Sequence, residues 1–214
     1  NPSFFGDVGP LAAPDDYTAT LYSTVDGKTR ELTKPANFKV KPLFTETVAG
    51  GVSPKKRSAL LRQVEDLRRE VSTATSQIND LNGQLKSFRI ALDRSSAVTG
   101  DLESKYHQMR MAVFAAEEVL FGQRSRDGMH SAPANVSGRL FMIEFARANT
   151  WGLTSTQKQQ MVYVKDALNL LQPKLEHLIQ TEFPQFRHSL LKAGAPWVPE
   201  GLMEETSDEH VEID

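Results

Sequence analysis

Residues 53–98 read SPKKRSALLRQVEDLRREVSTATSQINDLNGQLKSFRIALDRSSAV and decide the fold of this chain. Apolar or small residues recur there at alternating steps of four and three, a spacing typical of a coiled coil. These seam positions are Leu60, Val64, Leu67, Val71, Ala74, Ile78, Leu81, Leu85, Phe88 and Leu92. Ser53 and Pro54 favour a helix start at this point. The stretch predicts one helix roughly 65 Å long at ~1.5 Å per residue, which needs apolar partners along its length.

Three further helices are predicted downstream, over residues 101–122, 138–149 and 154–193. The first and last of them carry seams of the same spacing. The seam of 101–122 consists of Leu102, Tyr106, Met109, Val113, Ala116 and Leu120, and that of 154–193 of Met161, Val164, Leu168, Leu171, Leu175, Leu178, Glu182 and Phe186. Pro173 and Pro184 fall inside the last pattern, where kinks or breaks are expected.

The lengths of these helices favour a bundle within one chain. The tight connection at residues 99–101 predicts that the second helix returns antiparallel to the first. The second helix and the short one together are about as long as the last helix, which can run alongside both. We therefore predict a mainly α fold with a small β part, built around a long antiparallel three-helix coiled-coil-like bundle.

A small β part is predicted before the long helix. Residues 17–25, 29–33 and 38–43 favour three strands, and Asp26-Gly27 is a tight hairpin signal. Three short strands with one apolar face cannot cover themselves, so we expect them to complete a sandwich whose other strands lie upstream. The residues expected to face that partner are Tyr17, Leu21, Phe38 and Val40.

Composition narrows the classes of partner. No apolar run in the 214 residues approaches the length of a transmembrane helix, so membrane insertion is not predicted. The first residues lack an initiator Met and the features of a signal peptide, which predicts a fragment or a processed chain. Removing the seven acidic residues of 200–214 changes the formal net charge from -2 to about +5. That charge is too weak and dispersed for a nucleic-acid interface.

The sequence carries no recognisable catalytic motif. It has no Cys, which excludes disulfides, thiolate metal sites and a Cys nucleophile. No two of the five His residues are four positions apart, and HExxH, GxSxG and Walker A motifs are missing. Turn chemistry explains Asp15, Asp16 and Asp26 without a calcium ion, and Asn135-Val136-Ser137 matches the N-glycosylation sequon. We predict no catalytic, cofactor-binding or metal-ligating residues.

Several segments together resemble the C-terminal region of a bacterial family of large exported proteins, the BNR-repeat glycosyl hydrolase-like or sortilin-like β-propeller proteins. The matching segments are residues 9–21, 25–27, 38–43, 136–140 and 193–199. The family usually has Pro-Gly-x-Tyr before the strand, where this chain has Pro14-Asp15-Asp16-Tyr17. The resemblance implies a propeller first, then an Ig-like β domain and this helical region. Any hydrolase or ligand-binding activity would belong to the propeller, and no catalytic residue carries over.

The predicted organisation is a partial Ig-like β segment over residues 1–45, a linker over 46–52, a helical bundle over 53–199 and an acidic disordered tail over 200–214. The predicted function is that of a non-catalytic structural or interaction module. Its partners are the upstream sandwich and propeller of the same parent protein, or another chain that completes the sheet. The alternatives are an accessory part of a propeller-based glycosidase or peptidase, and a stand-alone coiled-coil adaptor. The resemblance implies export to the periplasm, the outer-membrane surface or the extracellular space.

Overall fold

The computed structural model of the chain describes residues 12–42, 51–95, 100–122, 135–145 and 151–195. Within these ranges the chain is mainly helical, with a small β part of two short sheets, which confirms the predicted fold class at this level. The predicted tail lies outside the described residues, as does most of the predicted linker.

The four predicted helices begin within two residues of the predicted positions, the predicted ends at 98 and 149 lie outside the described residues, and the last predicted helix is divided in two. They are α1 (Pro54–Arg94), α2 (Gly100–Phe121), α3 (Val136–Glu144), α4 (Ser155–His177) and α5 (Phe183–Lys192). At the start of α1, Lys56 N–H donates to Ser53 Oγ over 3.4 Å. At the start of α4, Gln157 N–H donates to Thr154 Oγ1 over 3.1 Å, and Thr154 N–H donates to Gln157 Oε1 over 3.0 Å. These reciprocal bonds form a capping box, as expected for a Thr-x-x-Gln sequence.

The contacts divide the chain into two compact units, residues 1–73 with 119–169 and residues 74–118 with 170–214. In the first unit α3 runs antiparallel to α4. Arg139 bonds to Gln160 on α4, and Gln157 Nε2 donates to the carbonyl oxygen of Met142 over 3.2 Å. Arg68 on α1 lies 3.6 Å from the Glu144 carboxylate on α3.

The second unit has an aromatic core. The Phe88 ring on α1 contacts both Phe183 and Phe186 of α5, with ring centroids 5.6 and 5.2 Å away. Tyr106 on α2 contacts Phe186 at 6.4 Å. All three Phe side chains are almost fully buried, so this cluster joins three helical segments and excludes water from their centre.

Polar contacts around this core show the helix directions within the second unit. Asn82 on α1 donates to Glu117 on α2 over 2.6 Å, whereas Arg89, further along α1, donates to Glu103, earlier on α2, over 2.8 Å. The two helices are therefore antiparallel in this unit. Arg187 on α5 donates to Gln84 over 3.0 Å.

Most predicted seam residues of the long helices are buried, and the exceptions are Leu60, Tyr106, Met161 and Glu182. Leu60 is half-buried and Leu61 is buried in its place. In the first turns of α1 the buried positions recur every three residues, at 58, 61, 64 and 67. The face that these positions share includes Leu61 and turns Leu60 towards its margin.

A π-helical turn, Leu178–Glu182, separates α4 from α5. Phe183 N–H donates to the carbonyl oxygen of Leu178, a bond spanning five residues. This turn precedes Pro184, which lacks an N–H donor and lies in the first turn of α5. The predicted interruption at Pro184 therefore takes the form of a π turn. By contrast, α4 continues through the exposed Pro173 without a break.

The π turn also corrects the predicted seam. Glu182 was expected at a seam position, but its side chain is half-buried, and Phe183 occupies the buried position instead. The Nε2 atom of His177 lies 3.4 Å from Glu182 Oε1 across the turn. Residues five apart lie about 140° apart around an α-helix, so this contact depends on the wider turn.

The β part is a hairpin with an interrupted ladder. Its strands are β1 (Asp15–Ala19), β2 (Tyr22–Val25), β3 (Lys28–Glu31) and β4 (Ala36–Val40). β1 pairs antiparallel with β4 and β2 with β3, forming two two-stranded sheets. The turn at Asp26-Gly27 is confirmed, with φ values of 49° and 73°. Positive φ at both central residues is what a tight hairpin turn of this kind requires.

The prediction of one continuous strand from 17 to 25 is wrong. Thr20 and Leu21 of the outgoing arm face four residues, 32–35, of the returning arm, so the ladder breaks between the two sheets. Leu32 N–H still donates to the Leu21 carbonyl oxygen over 2.8 Å, but Pro35 has no N–H to donate. The last strand spans Ala36–Val40 instead of 38–43.

Candidate interaction surface

The hairpin formed by β1 and β4 has one apolar face and one polar face. Tyr17 and Phe38 are directly opposite each other across the ladder, and their rings stack with centroids 5.8 Å apart. The Tyr17 hydroxyl donates to the Ala13 carbonyl oxygen over 2.8 Å, which fixes the ring above the strand. Val40 lies two residues beyond Phe38 and so shares this face.

The polar face carries cross-strand pairs of a different kind. Lys39 Nζ lies 3.3 Å from Asp16 Oδ1, and Thr18 Oγ1 donates to Asn37 Oδ1 over 2.8 Å. Both pairs are solvent-exposed. Because polar and apolar pairs alternate along this ladder, one face suits water and the other suits a cover.

The apolar side chains of the hairpin remain largely uncovered among the described residues. Phe38 is 50% exposed, Leu21 57% and Val25 62%. Of the four residues predicted for this surface, Tyr17 and Val40 are half-buried. Sequence analysis did not single out Tyr22, Val25 and Leu32, which are also exposed. Their apolar character on a predicted hairpin was the available signal.

The two arms of the hairpin differ in charge. Residues 15–25 contain no Lys or Arg, whereas residues 28–41 contain five of them and one Glu. Lys residues on an edge strand discourage pairing with a further strand. Each strand of the described hairpin pairs on one side only. The free edge of β1 and β2 carries no Lys or Arg, so it is the edge better suited to pairing with a further strand.

An ion pair links the hairpin to the long helix. Lys55 Nζ in the first turn of α1 lies 3.2 Å from Asp15 Oδ2. A hydrogen bond from the Asp16 backbone N–H, supported by Lys55, lowers the pKa of the Asp15 carboxyl. Both side chains are more than half exposed, so the pair adds little stability.

A shallow groove of about 470 Å³ lies between the first turns of α1 and α4. Leu60 and Met161 contribute to its floor, while Asp66 and Lys165 are among the charged groups that line it. In this lining α1 contributes Asp66 and Glu70 and α4 contributes Lys158 and Lys165, so the groove attracts neither anions nor cations strongly. Its open, mixed lining resembles ordinary helix–helix packing more than a ligand pocket.

The described residues contain no group of three or more His, Cys, Asp or Glu side chains placed to hold a metal ion. Within the same ranges, no helix is long and apolar enough to cross a bilayer. The sequon residue Asn135 caps α3, accepting from Gly138 N–H over 2.8 Å and donating through Nδ2 to the Phe121 carbonyl oxygen over 2.9 Å. Its side-chain nitrogen therefore already has a structural role.

Comparisons of the chain with known proteins gave no match. No family model matches the chain, and no curated protein or solved structure is similar enough to count as a match. The resemblance to exported β-propeller proteins, with the function and compartment that it implies, therefore stays a prediction.

Proposed function

We propose that this chain is a non-catalytic structural and interaction module of an exported β-propeller protein, acting as a spacer, docking arm or assembly surface. One observation carries the proposal, the uncovered apolar face around Tyr17 and Phe38 on a hairpin with open edges. In this proposal the hairpin is the last part of an Ig-like sandwich. The helices that follow form a three-helix coiled-coil-like bundle.

The energetics of a hairpin favour this assignment. A lone two-stranded hairpin is marginally stable in water, and further strands or a packed helix normally supply what it lacks. Covering a Phe ring is worth about 1.5–3 kcal/mol at usual transfer coefficients, so half-exposed Phe38 leaves a sizeable part of that free energy unused. Strands from the same parent protein, or from another chain, would recover it.

The helical part supports a structural role in the same proposal. Most of its seam side chains are buried, and the polar contacts of the second unit show α2 antiparallel to α1. Most of the predicted seam positions are thus used for packing within the chain. A packed helical module suits a spacer or docking arm, because a helix adds about 1.5 Å of length with each residue.

The test compares this chain with a longer polypeptide that includes the segment preceding it in the parent protein. Phe38→Ala should destabilise the longer polypeptide by about 3–5 kcal/mol, the usual cost for a buried Phe. In the 214-residue chain the same substitution should cost about 1 kcal/mol or less, since Phe38 is half exposed. Lys34→Ala, on the same arm, is the matched control and should be neutral in both.

Equal, small effects of Phe38→Ala in both polypeptides would contradict the proposal. A separate comparison addresses the alternative of an accessory part of a hydrolase. Removing residues 53–214 from the full-length parent should leave the kinetics of any propeller reaction unchanged. A loss of kcat/KM in that deletion would favour the accessory role over a purely structural one.

A further inference from the structure

Helix α2 carries a second stripe of residues, with the exposed apolar Met111 and Phe114 at its centre, on the side away from its buried seam. Ser104, His107, Met111, Phe114 and Glu118 follow each other at steps of three and four, the spacing of a coiled-coil seam. Met111 is 48% and Phe114 49% exposed. The buried seam of α2 lies on the opposite side, since residues two apart, such as Met111 and buried Val113, are about 200° apart around a helix.

We propose that this outer face of α2 binds the same face of a second copy of the chain, with the two helices antiparallel. In the register centred between residues 112 and 113, Met111 of each copy meets Phe114 of the other. The same register brings His107 opposite Glu118, twice by symmetry. A two-fold axis thus pairs apolar with apolar side chains and a basic group with an acidic one.

The flanks of the stripe favour the same occupant. Arg110 and Glu117 lie seven residues apart on one flank of the stripe, the position from which charged side chains reach across a helix pair. In the antiparallel register Arg110 of one copy comes opposite Glu117 of the other. Glu117 accepts from Asn82 through one oxygen, which leaves its second oxygen for that contact.

A parallel pairing of the same stripe lacks this complementarity. It would place His107 beside His107 and Glu118 beside Glu118, so that each layer at the ends of the stripe joins like groups. Like charges across a helix interface cost free energy, which applies to the two Glu118 carboxylates. The charge pattern therefore selects the antiparallel pair of identical chains over the parallel one. This surface is independent of the hairpin, so the inference and the proposed function can fail separately.

The first experiment measures the mass of the whole chain in solution by light scattering at about 100 µM. At that concentration a pair of chains with a dissociation constant of about 1 µM is mostly dimeric. The expected mass is twice the chain mass of 23.8 kDa. Met111→Glu should halve it. Leu170→Glu, at a position of α4 that is 72% exposed, is the control and should keep the dimer. A monomeric wild-type chain, or a dimer unaffected by Met111→Glu, would overturn the proposal.

The second experiment tests the register by disulfide trapping, which the lack of native Cys makes clean. A mixture of the His107→Cys and Glu118→Cys chains should form a disulfide between one chain of each kind. Neither variant alone should do so, because identical positions are then about 16 Å apart along the helix axis. A disulfide in His107→Cys alone would indicate parallel pairing, and no disulfide in the mixture would reject the register. Either result would overturn the proposal.

Discussion

Leu178 and Phe183 are consecutive buried side chains of the last helical run, although five positions separate them. They are 3% and 1% exposed, and the Phe183 N–H donates to the Leu178 carbonyl oxygen across the π turn. An uninterrupted α-helix with the seam spacing would instead turn Glu182 towards the core. Burying a carboxylate without a partner costs far more than one widened turn, so the insertion favours Phe183.

Substitutions on either side of this insertion should have unequal effects. Phe183→Ala removes a buried ring that contacts Phe88 and should lower the free energy of unfolding by about 3–5 kcal/mol. Glu182→Ala removes only a partly exposed contact with His177 and should change it by less than about 0.5 kcal/mol. Urea denaturation followed by circular dichroism measures both. Effects of equal size would show that the π turn does not set the register.

Gly83 offers a stabilising substitution in the middle of α1. It is exposed, and a Cβ atom added there meets nothing within 4 Å. Gly83→Ala should therefore stabilise the helix by about 1 kcal/mol, which raises Tm by about 2–4 °C in a chain of this size. Gly27→Ala is the contrasting variant and should bring no gain, because Gly27 has a φ of 73° that Ala adopts only with strain. A thermal melt that shows no increase for Gly83→Ala would contradict this reading of the helix.

The Arg89–Asp93 pair on α1 should make stability depend on acidic pH. The hydrogen bond from Arg89 lowers the pKa of the Asp93 carboxyl, so the unfolded chain binds a proton there more readily than the folded chain. The stabilising contribution is complete above the unfolded pKa of about 3.9 and is lost as the pH falls through the lower folded pKa.

Asp93→Asn should therefore flatten the decline in stability as the pH is lowered from about 5 into the acid range. Denaturation at a series of pH values measures that decline. Asp80→Asn, at an exposed position of the same helix, leaves the Arg89–Asp93 contact intact and should keep the wild-type decline. Identical pH profiles for Asp93→Asn and the wild-type chain would rule out a role for this pair.

The long helices could be predicted because a seam repeated over ten positions averages out local ambiguity. Which of two adjacent residues is buried could not be predicted. Leu60 and Leu61 are both apolar, and only the packing of the first turns decides which is buried. The π turn could not be predicted because Glu182 falls at the next heptad position of the sequence. Its charge makes burial costly, but this favours a shifted register only because the next residue, Phe183, is apolar.

The candidate surfaces were predictable to different degrees. Asp26-Gly27 located the hairpin, but Thr20 and Leu21 favour strand locally, and the break there depends on Pro35 in the opposite arm. Tyr17 and Phe38 could be assigned to an apolar face from alternation alone. The outer stripe of α2 has the same spacing as its seam. One apolar face is enough to explain a packed helix, so the sequence alone gave no reason to consider a second face.

Hydrogen exchange should separate the hairpin from the helices within this chain. The Leu32 amide bonds to the Leu21 carbonyl in a ladder whose side chains are largely exposed. The Ile78 amide lies in the middle of α1, and the Ile78 side chain is fully buried. A hairpin without further strands opens easily. The Leu32 amide should therefore exchange far faster than that of Ile78.

A matched variant shows whether the aromatic pair stabilises the hairpin. Tyr17→Ala removes the stack on Phe38, worth about 0.5–1.5 kcal/mol beyond its buried area, and should speed exchange at Leu32 without changing it at Ile78. In the longer polypeptide that supplies the preceding segment, Leu32 should become protected towards the level of Ile78. If Leu32 were already as protected as Ile78 in the 214-residue chain, the hairpin would need no cover, and its exposed apolar face would give no reason to expect further strands.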